Sequence, residues 1–203
     1  MMQVLSIKSA TTKEIQSHGK LIVLTGPSGV GKGTLMRSLL TRHPELYYSI
    51  SATTRTPRSG EIDGKHYHFI NRSKFEKLVA NGEFLEWAEF AGNYYGTPRT
   101  AVLNQINHGK SVVLEIELEG ARKVRASFPS AKSIFILPPS IEELEKRIRG
   151  RGQDPEDAIS RRLGRAQAEI SAANEFDVQI VNDDLETALH SIEAALHNFV
   201  NCG

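Results

Sequence analysis

Cysteine, net charge and long apolar runs are all scarce in this 203-residue chain. Its single cysteine, Cys202, excludes an internal disulfide framework and a zinc site built from cysteines. The formal net charge of +1 gives no global attraction to nucleic acid or to a membrane surface. No apolar run approaches the roughly 20 residues of a membrane-spanning helix. Because 39% of the residues are hydrophobic, the chain can bury a full core, and we expect a soluble globular protein of the reducing cytoplasm.

Residues 1–19 are mostly polar and precede the first apolar run. They lack the apolar stretch of a secretory signal, so we expect a mobile N-terminal tail. A transit peptide is the alternative, but Glu14 and the absence of arginine from this stretch argue against it.

A glycine-rich loop follows the apolar run at 21–24. It consists of Gly26, Pro27, Ser28, Gly29, Val30, Gly31, Lys32, Gly33 and Thr34. Between a buried strand and a helix, the backbone N–H groups of such a loop surround phosphate oxygens, and the lysine reaches the outer phosphates. The pattern predicts a nucleoside-triphosphate site. A glycine loop without a ligand is the alternative, which the strand before it and the apolar periodicity after it disfavour.

Apolar runs alternate with helical patterns along the chain, at 20–25, 46–51, 111–118, 133–137 and 178–181. This alternation is typical of α/β proteins, in which helices cover both faces of a parallel sheet. Several helix starts are also visible: Ser140 with Glu143 forms a capping box, Pro155 opens a helix, and Asp183 or Asp184 caps the last one.

Residues 53–98 interrupt this alternation and are rich in glycine, arginine, tyrosine and phenylalanine. We interpret them as an inserted, mostly β domain that binds a substrate. The stretch 147–155 is dense in charge and glycine, as is typical of a movable lid. The expected division is a core at 20–52, 99–140 and 166–203, the insert at 53–98 and the lid at 141–165.

The start of the insert carries the most specific motif of the chain. It reads Ser51-Ala52-Thr53-Thr54-Arg55-Thr56-Pro57-Arg58-Ser59-Gly60-Glu61, followed by Gly64, Tyr67 and Phe69. The fixed fork of an arginine suits a phosphate dianion, and a tyrosine hydroxyl adds a neutral hydrogen bond. The motif resembles that of the guanylate kinase family, as do Gly92-Asn93-Tyr94-Tyr95-Gly96-Thr97 and Val181-Asn182-Asp183-Asp184. This resemblance implies a P-loop NMP-kinase fold: a parallel five-stranded core sheet flanked by helices, with a mixed β-rich GMP-binding insert and a small lid.

The resemblance implies phosphoryl transfer from MgATP to GMP, which gives ADP and GDP. It assigns the GMP phosphate to Arg55, Arg58, Tyr67 and Tyr95, and the base to Ser51, Glu86, Thr97 and Glu117. The residues expected to contact the transferring phosphoryl group are Lys32, Arg147, Arg151 and Arg162. The implied partners are ATP and GMP, with dGMP left open, and no nucleic acid or membrane. A monomer or a homodimer fits the family.

Glu86 is the expected selector for guanine. The N1–H and amino groups of guanine are adjacent donors that one carboxylate accepts together, whereas adenine lacks the N1 proton and leaves the carboxylate underbonded. A hydroxyl from Ser51 or Thr97 can donate to guanine O6. The acceptor phosphate needs no general base, because a second pKa of about 6 makes it largely a dianion at neutral pH.

Glu115 and Glu117 lie on the predicted strand at 112–118, where alternation places both on one face. The carboxyl end of a strand beside the loop strand is a place for Mg²⁺ and substrate, and Glu115 is the candidate to hold Mg²⁺ through a water. The family often has aspartates at these two positions.

Gly33 follows the loop lysine where a serine or threonine normally supplies a hydroxyl to Mg²⁺. Thr34 comes one residue late. Adenylate kinases are similar in reading Gly-Lys-Gly-Thr, which implies that Mg²⁺ is held mainly through waters and phosphates, with Thr34 on the α-phosphate.

Each assignment has an alternative from the residues alone. Arg55 and Arg58 can form a solvated turn, Glu86 a surface strand position, and Glu115 an ion pair with an arginine. Two other functions also stay open. One is a catalytically silent guanylate-kinase-like module that binds phosphorylated proteins, and the other is a kinase for another phosphorylated small molecule.

The remaining aromatic and basic residues are interpreted as structural. Packing is favoured over base stacking for Phe84, Trp87 and Phe90, since aromatic side chains dominate cores. The arginines interpreted as solvated or lid-supporting are Arg149, Arg161 and Arg165.

Overall fold

Two β-sheets organise the computed structural model, which describes residues 19–150 and 155–201. The strands are β1 Leu21–Thr25, β2 Tyr47–Tyr48, β3 Ala52–Thr53, β4 His68–Phe69, β5 Phe84–Phe90, β6 Asn93–Pro98, β7 Val112–Glu115, β8 Lys132–Leu137 and β9 Val178–Val181. The helices are α1 Lys32–Arg42, α2 Arg72–Ala80, α3 Arg99–Asn107, α4 Leu118–Ser127, α5 Ile141–Arg149, α6 Glu156–Ser171 and α7 Leu185–Asn201, with a 3-10 turn at Ala173–Glu175. No helix in this described part is long and apolar enough to cross a membrane. Residues 1–18 of the expected tail lie outside the described residues.

The larger sheet has the strand order β2-β7-β1-β8-β9, and all of its pairings are parallel. The central strand β1 is buried along its whole length, because helices cover both faces of the sheet. Its alternate residues serve two cores, with Ile22 and Leu24 in one and Leu21 and Val23 in the other. The α/β fold with a parallel five-stranded sheet is thereby confirmed.

The smaller sheet has the order β4-β3-β6-β5 and is mixed. Strands β3 and β4 are parallel, whereas the other pairs are antiparallel. Helix α2, which was not predicted from the sequence, lies beside it and begins where the Asn71 side chain accepts a hydrogen bond from the Lys74 N–H at 2.8 Å. Phe75 of this helix is fully buried and stacks on Phe84 with ring centroids 4.5 Å apart. The mixed, β-rich insert expected from the sequence therefore has its own small apolar core.

The predicted strand at 112–118 is too long. Strand β7 ends at Glu115, and the Ile116 N–H makes a last bond to β1 at 3.2 Å. The chain then turns into α4, where the Glu117 carbonyl accepts the Ala121 N–H at 3.0 Å. The expectation that both glutamates share one strand face was wrong, since Glu117 precedes a helix.

Two of the predicted helix starts are confirmed. The Ser140 hydroxyl accepts the Glu143 N–H at 3.2 Å at the start of α5. Of the two aspartates considered for the last helix, Asp184 caps it by accepting the Thr187 N–H at 2.9 Å. Pro155 lies one position before the first residue of α6 rather than on it.

Candidate active site

The glycine-rich loop connects β1 to α1 at the carboxyl edge of the larger sheet. Gly26, Gly29 and Gly31 have φ angles of 147°, 92° and 103°, a region that other residues rarely adopt. At Gly26 a Cβ atom would lie 2.4 Å from the Ile136 carbonyl oxygen, so the loop passes β8 at a distance that only glycine allows. The loop thus turns its backbone toward the N-terminus of α1, where an anion is stabilised.

Three side chains from other elements contact this loop. The Val30 carbonyl accepts hydrogen bonds from Asn182 Nδ2 at 2.8 Å and from Arg147 Nη1 at 3.5 Å. Arg147 Nη1 also donates to the Asn182 carbonyl at 2.9 Å. Arg162 Nη2 donates to Ser28 Oγ at 3.1 Å. The structure therefore places two arginines expected from the sequence at the loop.

The other arginines of the predicted lid behave differently. Arg151 lies outside the described residues. Arg149 pairs with Glu156 at 2.5 Å, and Arg161 pairs with Asp157 at 2.8 Å, with exposed side chains in both pairs. These two arginines match the interpretation of solvated or lid-supporting residues.

Lys32 is the first residue of α1, and its side chain is buried. Its Nζ donates to the carbonyl oxygens of Gly26 at 2.6 Å and Pro27 at 3.3 Å. The same ammonium is close enough to lower the pKa of the Glu115 carboxyl group against the effect of burial. The positive charge of Lys32 therefore lies between the loop and Glu115.

Gly33 leaves space beside an acidic side chain. A Cβ atom at this position would lie 3.7 Å from Glu115 Oε1 and 3.7 Å from Arg37 Nη1, which are ordinary contacts. Arg37 Nη2 donates to Thr34 Oγ1 at 3.2 Å. Arg37 follows Gly33 by one helical turn and therefore shares its face of α1.

Glu115 and Glu117 reach one cavity from different elements. Burial raises the pKa of Glu115; the Lys32 charge opposes this rise, Glu117 adds to it, and Arg37 opposes it. Among the described residues, Glu117 Oε2 is buried and has no hydrogen-bond partner. It is thus free to accept a hydrogen bond from a substrate donor.

The donor set at this edge fits one kind of metal site. The described residues contain no group of three or more histidine, cysteine, aspartate or glutamate side chains that could hold a metal ion. Glu115 is a single carboxylate beside Gly33 and the loop. Since Mg²⁺ retains waters and takes phosphate oxygens, the residues fit Mg²⁺ held by one carboxylate and a nucleotide rather than by a protein cage.

One cavity joins the loop to the smaller sheet. It is lined by Lys32, Ser51, Tyr67, Glu86, Ala88, Phe90, Tyr95, Glu115, Ile116, Glu117 and Gly120. This lining includes five of the eight residues expected to contact GMP. The three that are not part of it are Arg55, Arg58 and Thr97.

Glu86 lines this cavity and is buried, with 6% of its surface exposed. It is therefore not the surface strand residue that was the alternative. Its Oε1 accepts a hydrogen bond from Thr97 Oγ1 at 2.6 Å across the β5–β6 pair. A Cβ atom at Gly120 would lie 2.4 Å from Glu86 Oε2, so this glycine makes room for the carboxylate. Burial raises the pKa of Glu86, and the Thr97 hydrogen bond opposes that rise.

The Thr97 contact corrects one expectation. Its hydroxyl proton goes to Glu86 rather than into the cavity, and Thr97 itself is fully buried. Ser51, the other residue expected to offer a hydroxyl group, lines the cavity.

Arg55 and Arg58 lie on the turn after β3 and differ in their surroundings. Arg55 forms a bidentate pair with Glu61, its Nη1 and Nη2 donating to Oε2 at 2.9 Å and Oε1 at 2.8 Å. Glu61 also accepts the Arg58 N–H at 2.7 Å. The Arg55 side chain is 13% exposed, which excludes the solvated-turn alternative for it, whereas Arg58 is exposed.

Tyr67 and Tyr95 form an aromatic pair beside Arg55. Their rings meet edge to face with centroids 5.9 Å apart, and the Arg55 guanidinium lies 5.4 Å from the Tyr67 centroid. Burial raises the pKa of Tyr67, so its hydroxyl keeps the proton that it can donate to a phosphate.

Three residues at the site had no role in the sequence analysis. Asn182 carried a signal, since it belongs to the motif quoted for the resemblance, and Arg37 carried a weaker one, its spacing from Gly33. Gly120 carried none, because the close approach of Glu86 to it depends on the packing of α4 against β5.

Proteins of one family resemble this chain over nearly its whole length. The family model described as guanylate kinase matches residues 18–199. A guanylate kinase from Trichormus variabilis is 77% identical over 197 residues, which cover 97% of this chain and 99% of that protein. One from a Nostoc species is 75% identical with the same coverage. The crystal structure of guanylate kinase from Anaplasma phagocytophilum is 38% identical, with a TM-score of 0.76, and the match covers 90% of this chain and 86% of that one.

Proposed function

The chain belongs to the guanylate kinase family and is an ATP:GMP phosphotransferase, and from this premise we propose how its own residues divide the work. The observation that carries the proposal is the buried Glu86 carboxylate in a cavity that also reaches Lys32. An acid suited to guanine and a lysine suited to a triphosphate thus face one space, as a transfer between two nucleotides requires.

Guanine is read mainly by Glu86. Thr97 occupies Oε1 and orients the carboxylate, so Oε2 is left to accept the N1–H and an amino proton of the base. Ser51 donates to guanine O6, and the unpartnered oxygen of Glu117 accepts a further amino proton. Adenine offers no N1 proton, so it leaves a buried carboxylate without its donors.

The GMP phosphate is held by Arg55, Arg58, Tyr67 and Tyr95. Glu61 accepts a hydrogen bond from each Nη of Arg55 and so orients this guanidinium, while the exposed Arg58 adds a second guanidinium from the same turn. Both guanidinium groups can make charge-assisted hydrogen bonds to the phosphate oxygens, and the tyrosine hydroxyls add neutral hydrogen bonds.

Phosphoryl transfer proceeds in line, with positioning and charge cancellation as its main sources of rate. Lys32 neutralises the outer phosphates of ATP in the loop, and Arg147 and Arg162 bring further charge to the same loop. Arg151 is proposed to join them. No residue has to remove a proton, because GMP enters as a dianion.

Mg²⁺ is the proposed metal partner of ATP. Glu115 would hold it through a water, with phosphates as the other ligands, beside the space left by Gly33. When bound, the ion supplies charge neutralisation for the phosphates.

Other assignments extend this proposal. The core at 20–52, 99–140 and 166–203 carries the ATP loop, the insert at 53–98 binds GMP, and the lid at 141–165 excludes water on closing. Acceptance of dGMP, a monomeric or homodimeric state, a cytoplasmic location and a place in the recycling of guanine nucleotides rest on the resemblance to the family.

A coupled assay of ADP release with GMP, AMP, CMP and UMP tests the function. We expect turnover with GMP far above that with the other three, since only guanine satisfies Glu86. Comparable turnover with AMP would contradict the role of Glu86. ATP titration separates the silent interaction module from the enzyme, because a module would show no saturable ATP binding.

A further inference from the structure

Arg165 on α6 contacts the smaller sheet at the edge of the GMP cavity. Its guanidinium carbon lies 4.0 Å from the centroid of the Phe90 ring on β5. Its Nε donates to Glu169 Oε1 at 2.9 Å. A guanidinium at this distance from an aromatic ring makes a cation–π contact. Arg165 is therefore more than a solvated residue of the lid helix.

Glu169 fixes the direction of this arginine. It lies one helical turn further along α6, and its side chain is 6% exposed, against 43% for Arg165. Its Oε2 is buried and has no hydrogen-bond partner in the described part of the chain. Because a buried carboxylate is costly without a counter-charge, the pair holds the guanidinium near the ring rather than in solvent.

Phe90 is part of the wall that the proposed GMP site shares with the insert. It lines the cavity, and its ring lies edge to face against Tyr95 with centroids 6.3 Å apart. The opposite wall comes from the larger sheet and its loop, through Lys32 and Glu115. The site is thus complete only when the smaller sheet lies against the core. A contact that joins the two sides stabilises that arrangement.

We infer that Arg165 is a positioning residue for GMP, which holds Phe90 and its sheet against α6 and so raises the population of the arrangement that binds GMP. This inference rests on the proposed GMP site. Apparent affinity falls in proportion to the fraction of protein in the binding arrangement. A cation–π contact shifts such an equilibrium by about two- to thirtyfold. Its loss should raise the KM for GMP by about three- to tenfold and leave the KM for ATP nearly unchanged.

Two single variants and their combination test the contact from both sides. Arg165→Gln keeps an amide donor for Glu169 but removes the charge over the ring, whereas Phe90→Leu removes the ring and leaves the ion pair intact. The KM for GMP, the KM for ATP and kcat are measured for each. GMP binding is followed separately by the fluorescence of the single tryptophan, Trp87, which lies on β5, the strand that also carries Phe90. Both changes break the Arg165–Phe90 contact, and Phe90→Leu also loses the ring contact with Tyr95, so the double variant should raise the KM for GMP no more than the more damaging single variant does.

Two controls separate positioning from general damage. Arg165→Lys keeps a cation and should retain a GMP KM within about twofold of the parent protein. Arg161→Gln removes an exposed arginine of the same helix and should change nothing. The inference is overturned if Arg165→Gln leaves the GMP KM unchanged, if the two single effects multiply, or if the KM for ATP rises equally. Failure of the parent protein to saturate with GMP would instead refute the proposed function.

Discussion

Replacing Glu86 by glutamine removes one charge from the base end of the cavity while keeping the length of the side chain. The Thr97 hydroxyl can still donate to the amide oxygen, as it does to Glu86 Oε1 at 2.6 Å. The new amide nitrogen then lies where guanine also presents donors. The substitution therefore tests whether Glu86 recognises guanine, with little disturbance of the surrounding fold.

The magnitude follows from the two hydrogen bonds that guanine loses. A hydrogen bond to a charged group contributes about 1.5–3 kcal/mol, so two of them predict a fall of about 10²- to 10⁴-fold in kcat/KM for GMP. Adenine N1 is an acceptor, to which the amide can donate. We therefore expect Glu86→Gln to lose GMP turnover and to narrow the preference for GMP over AMP.

The same substitution should not lower thermal stability, although it lowers GMP turnover. Burial raises the pKa of Glu86 in the folded protein above its unfolded value. The folded state therefore binds this proton more tightly, and ionisation costs stability as the pH rises through the folded pKa. Glutamine has no such cost. At neutral pH the variant should unfold at a temperature equal to or above that of the parent protein, and the difference should shrink in acid.

The coupled ADP-release assay with GMP and AMP measures the first effect, and thermal unfolding from acid to neutral pH measures the second. Glu89→Gln is the matched control, because Glu89 is an exposed residue of the same strand. It should leave both quantities unchanged. A Glu86→Gln variant whose kcat/KM for GMP stays within about threefold of the parent would refute the reasoning.

Three further substitutions probe other parts of the site. Gly120→Ala places a Cβ atom 2.4 Å from Glu86 Oε2, so the KM for GMP should rise about tenfold while the KM for ATP is kept; an unchanged GMP KM would show that the carboxylate can move aside without loss. Arg58→Ala should weaken GMP binding about 10- to 100-fold in direct titration, since charge-assisted hydrogen bonds are lost, and unchanged affinity would remove Arg58 from the phosphate site. Asn182→Ala removes the 2.8 Å bond to the Val30 carbonyl, so the KM for ATP should rise and unfolding should cost about 1–3 kcal/mol less, whereas an effect confined to GMP would contradict its role at the loop.

Local patterns located all five strands of the larger sheet, but the runs at 46–51 and 111–118 extend beyond strands that end at Tyr48 and Glu115. The run predicted at 20–25 contains the fully buried central strand Leu21–Thr25, because an unbroken apolar stretch suits a sheet covered on both faces. For the run at 111–118 the error came at Glu117, because Ile116 and Leu118 on either side of it continue the alternation of the strand. Both are indeed buried, but Leu118 is buried as the first residue of α4. Burial at every second residue thus persisted after the strand had ended.

The site was less predictable where it depends on contacts distant in the chain. The backbone conformation of the loop was predictable from its glycines, since positive φ angles are a local requirement that glycine meets. Which acceptor the Thr97 hydroxyl finds depends instead on the antiparallel register that pairs it with Glu86. Arg165 makes one contact of each kind. Its contact with Glu169 is local, since Glu169 lies one helical turn away on α6, whereas its contact with Phe90 joins α6 to a distant segment in the smaller sheet.

Buried acidic groups lie in the cavity and beside it on α6, where burial works against their ionisation. Burial raises the pKa of Glu86, Glu115 and Glu169, so each ionised group costs stability at neutral pH. Apolar residues of similar size would often stabilise such positions. Each acid has instead a specific partner or ligand in the proposed mechanism: guanine for Glu86, hydrated Mg²⁺ for Glu115, and Arg165 for Glu169. The apolar faces of β1 and its helices supply the stability that these charges reduce, and activity and stability should therefore respond oppositely wherever one of the ligand-binding acids is neutralised.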